Sequence, residues 1–460
     1  MNNMEQLDRI ILSLKDEMIA TLEKWIHIPS VKSEPAEGAP FGAEIRRMLD
    51  VAVDDCRRLG FDTKDFDGYA AQADLGEGDD LDALGILAHL DVVPEGDGWR
   101  YPPYGAVIED GKMYGRGTND DKGPALAALY AMKAIQMAGI PLNRKVRLIL
   151  GCDEESGSAC MEHYKQVAVM PRRGFSPDAT YPVINIEKGI LRIRLHSFLS
   201  DTGLRVVSFN TGLRPNVVPG KASALIVGDA DMAARAKEAA ERLGIPVEVK
   251  ANEDGTVELT AIGVNGHAAF PENARNAIGE MLLLLRELGA QGALRALADK
   301  VGMEYEGQSL LISVRDGISG NLTCNLGIIR ADKNGVSATL DIRYPVMTNA
   351  AMIVKNVAAS LPGFTVEAGE PSEPHYVPES SELVQGLLDA YCEVTGKERK
   401  CLAIGGGTYA RQLEEGVAFG ASFPEDEELA HQANEYISVE DLLKNVKIFA
   451  YAIVKLAGKA

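Results

Sequence analysis

Residues 83–91 read ALGILAHLD, residues 115–123 read GRGTNDDKG and residues 146–157 read VRLILGCDEESG. The first and third stretches begin as short apolar runs, which predicts buried strands. The Ala- and Leu-rich segment between them predicts a helix that stops at Gly139. Strand, helix and strand in this order are typical of a parallel α/β sheet, in which chemistry gathers beyond the carboxyl ends of the strands. Polar residues follow both runs directly, so we expect a functional site there.

The texture of the chain changes after Gly189. Strand-like stretches at residues 256–262 and 337–344 are each followed by a helix-like stretch, at residues 276–288 and 349–360. Each pair is also preceded by a Gly-x-x-x-Asn step, at residues 212–216 and 317–321. This weak repeat indicates a duplicated α+β insert. The predicted fold is an α/β domain with a central, mostly parallel sheet, formed by residues 1–187 and 374–460 and interrupted by an α+β lid domain of two smaller units at residues 188–373.

Composition excludes several classes of partner. The net charge of −20 argues against nucleic acid and anionic membranes, since both reward clustered Lys and Arg. No run approaches the ~20 apolar residues that cross a bilayer, and the N-terminal segment lacks the apolar centre of a signal peptide. The 6 cysteines are scattered without a CxxC pair, which indicates free thiols in a reducing cytoplasm.

His89 and Asp91 follow the first strand. Side chains at positions i and i+2 of extended chain point the same way, so an imidazole and a carboxylate can share one face. A metal-bound histidine needs such a neighbour to fix its tautomer. The alternative interpretation is a strand-end histidine paired with a surface carboxylate.

The loop at residues 115–123 resembles a nucleotide-binding GxGxxG loop only superficially, because Asp120 stands where the third glycine belongs. The loop can instead deliver Asp120 to the start of the following helix, where a carboxylate could bridge two cations. The alternative is an ordinary helix N-cap.

Three consecutive carboxylates, at residues 153–155, follow the second strand, and like charges this close repel one another in a site of low dielectric constant. A bound cation would relieve that repulsion, and so would solvent exposure. Asp178 and His431 offer a further carboxylate and imidazole. Together the candidates form a nitrogen and oxygen donor set that suits zinc, manganese or cobalt. Two divalent ions balance three carboxylates and a hydroxide, which favours two ions over one.

These motifs resemble those of a family of dinuclear metallopeptidases that includes aminoacylase, carboxypeptidase G, succinyl-diaminopimelate desuccinylase and carnosinase. The resemblance rests on HLD at 89–91, GRGTNDDKG at 115–123, DEESG at 153–157, SPDA at 176–179 and the late His431. It is most similar to the dipeptidase V branch in GGGTYAR at 405–411, HQANE at 431–435 and NIEKG at 185–189.

The resemblance implies two divalent metal ions per chain, with zinc as the first candidate and manganese or cobalt as alternatives. Asp120 would bridge both ions. His89 and Asp178 would complete one site, and Glu155 and His431 the other.

The resemblance also implies roles around the metals. Asp91 would orient the first histidine ligand, and Glu154 would act as the general base. His267, in the insert, would stabilise the tetrahedral oxyanion. Asn216 and Arg343 would bind the transition state and the substrate carboxylate.

Thr408, Tyr409 and Arg411 complete the expected substrate-binding set. The implied function is that of a dipeptidase acting on dipeptides with a free C-terminal carboxylate, in the cytoplasm. An N-acyl or N-succinyl amino acid amidohydrolase with the same metal centre is the alternative. A non-catalytic binding protein on the same fold is disfavoured, because the base and every ligand are present.

The length of the insert bears on the number of chains that one site needs. In family members with a single short lid, the lid histidine reaches the active site of a partner subunit. A duplicated lid would let His267 serve its own chain, so we expect a monomer that binds a small peptide and needs no second protein.

Overall fold

The computed structural model describes residues 3–198 and 203–459, which form two compact units. The first unit contains the described residues up to Asn185, Val377–Leu402 and the described residues from Gly407 onward. The second contains the described part of Ile186–Tyr376 together with Ala403–Gly406. Each unit has its own apolar core. The predicted boundaries, 187/188 and 373/374, lie close to these, but the sequence did not indicate that residues 403–406 return to the second unit.

The helices are α1 (Asn3–Ser13), α2 (Lys15–Ile26), α3 (Ala43–Arg58), α4 (Lys122–Ala138), α5 (Ala159–Val167), α6 (Ala230–Leu243), α7 (Ala277–Glu287), α8 (Gly292–Lys300), α9 (Ala350–Ser360), α10 (Glu382–Thr395) and α11 (Val439–Ala457). Short 3-10 helices cover Pro271–Asn273 and Tyr409–Gln412.

The strands are β1 (Asp62–Phe66), β2 (Ala70–Leu75), β3 (Leu84–His89), β4 (Val107–Glu109), β5 (Lys112–Tyr114), β6 (Val146–Gly151), β7 (Arg173–Ser176), β8 (Ala179–Thr180), β9 (Val183–Glu187), β10 (Gly189–Ser197), β11 (Val206–Thr211), β12 (Val217–Val218), β13 (Lys221–Val227), β14 (Val247–Ala251), β15 (Thr256–Ile262), β16 (Gly266–His267), β17 (Arg315–Asp316), β18 (Gly320–Asn321), β19 (Thr323–Asp332), β20 (Gly335–Tyr344), β21 (Thr365–Ala368), β22 (His375–Tyr376), β23 (Cys401–Ile404), β24 (Glu415–Ala418), β25 (Ala421–Ser422) and β26 (Tyr436–Ser438).

The sheet of the first unit runs in the order β1-β2-β6-β3-β7-β24-β9. Its central pairs, β6–β3, β3–β7 and β7–β24, are parallel. The outer pairs β1–β2, β2–β6 and β24–β9 are antiparallel. The sheet is therefore mixed, with the parallel centre that the sequence predicts and with antiparallel pairs at its edges. The β1–β2 pair is joined by only a few residues, and a short turn can connect antiparallel strands but not parallel ones.

The elements that carry the expected site follow the sequence pattern. Every residue of β3 and β6 is buried, as the two apolar runs predict. Helix α4 connects them and ends at Gly139, whose φ of 64° is the left-handed conformation that glycine adopts readily at a helix end. These strands and the helix confirm the predicted α/β arrangement.

The second unit has an eight-stranded sheet in the order β14-β15-β13-β11-β19-β20-β10-β21, and all of its pairs are antiparallel. Its two halves meet at β11 and β19 and match in topology. From the centre outward, β11, β13, β15 and β14 correspond to β19, β20, β10 and β21. A helix joins the second and the outermost strand of each half, α6 in one and α9 in the other.

The repeat predicted from the sequence matches different elements. It treats β15 and β20 as equivalent strands, yet β15 is third from the centre of its half and β20 is second. The matching strand of β15 is β10, which precedes the rest of its half along the chain. A linear repeat search cannot find that match because the order of the elements differs between the halves.

None of the described helices combines the length and apolar character that a membrane crossing requires. The six cysteines are all free thiols.

Candidate active site

The candidate site lies where the central strands of the first unit end. His89 is the last residue of β3, and it is opposite Gly151, the last residue of β6, in the parallel register. On the other side of β3, β7 ends at Ser176. Parallel strands finish at the same edge of a sheet, so the loops that follow these three strands begin side by side.

The carboxylate of Asp120 lies between two imidazoles. Its Oδ1 is 3.0 Å from His89 Nε2, and its Oδ2 is 3.0 Å from His431 Nε2. Helix α4 begins at Lys122 with Asp121 as its N-cap residue, and Asp121 makes no side-chain capping hydrogen bond. The alternative interpretation of Asp120 as an ordinary helix cap is therefore wrong. One carboxylate with each oxygen facing a different histidine is the arrangement of a bridging ligand.

The other candidate ligands lie around this group. His431 Nε2 is 3.0 Å from the Glu155 carboxylate, and Asp178 Oδ2 is 3.8 Å from His89 Nε2. Two sets of residues each bring their donor atoms within 4.8 Å of one another. One set is His89, Glu154 and Asp178, and the other is His89, Asp120 and Glu155. The structure thus brings the five predicted ligands and the predicted base into one region of the first unit.

The tautomer of His89 follows from its contacts. Nδ1 is 2.9 Å from the backbone carbonyl of Asp91, and a carbonyl only accepts, so Nδ1 carries the proton. In the neutral ring the Nε2 lone pair then faces the carboxylates of Asp120 and Asp178, in a side chain that is 1% exposed. Burial lowers the pKa of His89, but its hydrogen bonds with Asp120 and Asp91 raise it well above the usual value. A cation at Nε2 is therefore favoured, and a divalent metal ion would take the place of a second proton there.

The charges of the carboxylates lead to the same conclusion. Burial raises the pKa of Glu154 to about 8, and burial also raises the pKa values of Asp178 and Glu155, with the Asp120 charge adding to both. Burial opposes ionisation of Asp120 as well, but its hydrogen bonds to His431 and His89 lower its pKa. Such a cluster ionises together only around cations. The residues present therefore fit two divalent metal ions.

Two buried aspartates fix the backbone around the ligands. The Asp91 carboxylate accepts the backbone N–H groups of Glu154 and Glu155, each at 3.1 Å. Asp121 Oδ2 accepts the backbone N–H of His89 at 3.1 Å. Asp91 was expected only to orient a histidine ring, and Asp121 was not singled out. The position of Asp121 beside Asp120 is the one signal that could have indicated it.

Glu435 is the main residue that the sequence reasoning missed. Its carboxylate accepts N–H groups from Gly117, Asn119 and Asp120 at 3.0, 2.9 and 3.2 Å. It also forms an ion pair with Arg116 at 2.7 Å, and the two side chains are 0% and 1% exposed. Glu435 therefore holds the loop that carries Asp120. The available signal was its place in the HQANE motif.

Thr408, Tyr409 and Arg411 follow the glycine run in the first unit. Tyr409 is 1% exposed, its hydroxyl is 2.9 Å from Cys160 Sγ, and its ring lies edge-on to His89 with centroids 6.3 Å apart. Tyr409 therefore packs beside His89, and its contact with substrate stays a prediction. Thr408 Oγ1 caps the following turn by accepting the Ala410 N–H at 3.1 Å. Arg411 is half-buried beside it.

The second unit holds Asn216 and His267. The strands β12 and β16 pair Val217 with His267, and the Ala268 N–H donates to the backbone carbonyl of Asn216 at 2.9 Å. The two predicted residues therefore lie on adjacent chain segments. His267 Nδ1 accepts the N–H of Ala269 at 3.2 Å.

Arg343 lies near the end of β20 in the second unit and is 4% exposed. Its Nε and Nη2 are 2.5 and 3.3 Å from the two oxygens of Asp341, and its Nη1 donates to the Gly405 carbonyl at 2.7 Å. Arg343 is therefore buried and paired, whereas an arginine on a strand usually faces solvent. These contacts hold the guanidinium in one orientation.

A cleft of about 310 Å³ borders two of the candidate metal ligands in the first unit. Asp120 and Asp178 line it, and so do the acidic residues Asp426, Glu427 and Glu428. A pocket with this lining favours a small ligand that carries positive charge.

The family pattern of peptidase family M20/M25/M40 matches residues 85–455 of the chain. YtjP from Bacillus subtilis (strain 168), provisionally named a dipeptidase, is 38% identical over 461 residues that cover 97% of this chain and 98% of that protein. A relative in Staphylococcus haemolyticus (strain JCSC1435) with the same provisional name is 34% identical over 457 residues, covering 96% of this chain and 97% of its own.

Solved structures share the fold at low identity. Human carnosine dipeptidase 1 superposes with a TM-score of 0.62 at 18% identity, over 99% of both chains. The di-peptidase Dug1p from Saccharomyces cerevisiae superposes with a TM-score of 0.61 at 16% identity, also over 99% of both chains. Identities this low establish similarity of fold.

Proposed function

The chain belongs to peptidase family M20/M25/M40 and is a metallopeptidase, and we propose that it is a dipeptidase that acts on dipeptides with a free C-terminal carboxylate. The observation that carries the proposal is Asp120, whose two oxygens each lie 3.0 Å from a different histidine. The provisional dipeptidase names of its relatives support the substrate class.

Asp120 would be the ligand shared by two divalent ions. His89 and Asp178 would complete one site, and Glu155 and His431 would complete the other. Zinc is the first candidate, with manganese or cobalt as alternatives, because every donor is nitrogen or oxygen. When bound, the ions activate a water molecule and polarise the scissile carbonyl.

Glu154 is the general base. It takes the proton of the attacking water and passes it to the leaving amine. Its backbone N–H is held by the Asp91 carboxylate at 3.1 Å, and its side-chain oxygen lies within 4.8 Å of donor atoms of His89 and Asp178. Side chains of adjacent residues point to opposite sides of an extended chain, so Glu154 can act as the base while Glu155 binds a metal ion.

His267 stabilises the negative charge that develops on the carbonyl oxygen. Because the backbone N–H of Ala269 donates to Nδ1, the neutral ring carries its proton on Nε2. Nε2 is then a hydrogen-bond donor of the kind that an oxyanion needs. Asn216, on the adjacent segment, contributes to the same binding of the transition state.

Arg343 binds the C-terminal carboxylate of the substrate. A guanidinium has five N–H donors, so the contacts with Asp341 and Gly405 orient it and leave donors for a carboxylate. Thr408, Tyr409 and Arg411, in the first unit, are further proposed substrate-binding residues.

The acidic cleft supports a dipeptide over an N-acyl amino acid. A dipeptide carries a free ammonium group, and Asp426, Glu427 and Glu428 line the cleft beside the metal ligands. An acyl or succinyl group has no positive charge to place there. The free thiols support a cytoplasmic location, and the two matched halves of the second unit support a monomer.

A hydrolysis panel tests the proposal. Dipeptides, tripeptides and N-acyl amino acids are offered to the purified protein loaded with zinc, manganese or cobalt in turn. We expect dipeptides to be cut with the highest kcat/KM. Preferential release of free amino acids from acetylated or succinylated substrates would transfer the assignment to an amidohydrolase of the same family.

A further inference from the structure

Asn325 lies on β19 and is 0% exposed. Its side-chain nitrogen donates to two carbonyl oxygens, those of Pro215 and Val217, each at 2.9 Å. These two carbonyls flank Asn216. The two N–H groups of one buried amide therefore hold the backbone on both sides of Asn216, which the proposed function assigns to binding of the transition state.

The orientation of this amide is set from behind. Asn325 Oδ1 accepts a hydrogen bond from Asn276 Nδ2 at 3.0 Å. Asn276 is the N-cap of α7, and its own Oδ1 accepts the N–H groups of Ile278 and Gly279 at 2.9 and 3.3 Å. The capping bonds require that the nitrogen of Asn276 faces Asn325, and so only one orientation of the Asn325 amide satisfies both sides.

The same strand also reaches the segment that carries His267. Val217 pairs with His267, and Asn216 accepts the N–H of Ala268. Thr323, two residues before Asn325 on β19, donates its hydroxyl to the carbonyl of Ala268 at 3.1 Å. A shift of the loop at residues 215–217 would therefore be transmitted to the histidine.

We propose that Asn325 is a positioning residue for catalysis, which fixes the backbone around Asn216 and, through the β12–β16 pair, the imidazole of His267. The inference rests on the proposed function, because it assigns Asn325 to the two residues that bind the transition state. It touches none of the metal ligands, which all belong to the first unit. Loss of Asn325 therefore lowers turnover without lowering metal content.

The experiment measures kcat, KM, metal content and melting temperature for metal-loaded enzyme with alanylleucine and leucylglycine. Asn325→Ala removes both donors, and Asn325→Asp keeps the shape while placing oxygen against the two carbonyls. Leu340→Ala is the control, since Leu340 is a buried core residue on the neighbouring β20 that lies opposite Leu326. Each change is also made in an Asn216→Ala, His267→Ala background.

We expect both Asn325 variants to lower kcat by about 10–10²-fold, the size of effect that a small misplacement produces, with KM and metal content near wild type. In the Asn216→Ala, His267→Ala background the further loss should be about twofold or less, because a positioning residue acts only through its targets. Leu340→Ala should lower the melting temperature while keeping kcat.

Three results would overturn the inference. The first is the same loss of kcat in both backgrounds. The second is a loss of kcat in the Asn325 variants that is no larger than the loss in Leu340→Ala, when the variants have the same melting temperature. The third is failure of both Asn325 variants to fold, which would make Asn325 a requirement of folding. If Asn216→Ala, His267→Ala enzyme keeps wild-type turnover, or wild-type enzyme cuts no dipeptide, the proposed function fails first, and this is visible without any Asn325 variant.

Discussion

Glu435 accepts a hydrogen bond from the backbone N–H of Asp120 at 3.2 Å. A residue four positions after His431 thus holds the loop that carries the carboxylate facing both histidines. The proposed metal centre would therefore depend on the buried ion pair of Glu435 with Arg116.

Glu435→Gln should destabilise the protein and weaken metal binding together. The substitution leaves Arg116 as a buried cation without its partner, which costs about 3–5 kcal/mol. The measurement is urea unfolding of the metal-free protein, followed by metal titration. Glu440→Gln is the matched control, because that side chain is 85% exposed. Unfolding of Glu435→Gln at the wild-type urea midpoint would show that the pair does not stabilise the loop.

Glu154→Gln should keep both metals and lose turnover. Glutamine has the size and polarity of glutamate but accepts no proton, and loss of a general base costs about 10²–10⁴-fold. Turnover and elemental analysis of the same preparation decide the matter. Glu162→Gln, at an exposed position of α5, should keep wild-type turnover. If Glu154→Gln enzyme with full metal content still turns over normally, another residue is the base.

Amidation of the substrate's C-terminus should raise KM. A charged hydrogen bond contributes about 1.5–3 kcal/mol, so the dipeptide amide should be about 10–10²-fold worse in kcat/KM. Arg343→Met should remove most of the difference between the two substrates, and Arg194→Met, at an exposed position of β10, should keep it. Equal cleavage of dipeptides and their amides by wild-type enzyme would exclude this role for Arg343.

One chain should form a complete active site. The test co-expresses two inactive variants, Glu154→Gln and His267→Ala. If a site took Glu154 from one chain and His267 from another, mixed assemblies would contain one site with both residues intact. We expect no activity from the mixture, and a mass in solution equal to that of one chain. Recovered activity would show that the histidine comes from a partner subunit.

Several parts of the site were accessible from sequence because their signals are local. His89 ends an apolar run, Glu154 and Glu155 end another, and Asp120 replaces a glycine that a nucleotide loop would need. Parallel strands finish at one edge, so strand-end residues could be expected to meet. The structure brings them together with His431, although that residue is 276 positions from Glu155.

Other parts depend on contacts that no local pattern encodes. Arg116 and Glu435 are 319 positions apart, and although each lies within a quoted motif, neither motif indicates that the two form an ion pair. Asn325 lacks any motif, because its role comes from two backbone carbonyls more than 100 positions earlier in the chain. The sequence repeat predicted two units in the insert but matched β15 with β20, because β10, the true counterpart of β15, precedes its own half along the chain.

Counting metal ions tests the central claim most directly. Metal-free enzyme is titrated with zinc while bound metal and dipeptide turnover are both measured, for wild type, Asp120→Ala and Asp178→Ala. If Asp120 is shared by both ions, wild-type enzyme should bind two equivalents of zinc and reach full turnover only at the second. Asp120→Ala should lose both equivalents, and Asp178→Ala should retain one. Saturation of wild type at one equivalent, or two equivalents retained by Asp120→Ala, would contradict a dinuclear centre built on Asp120.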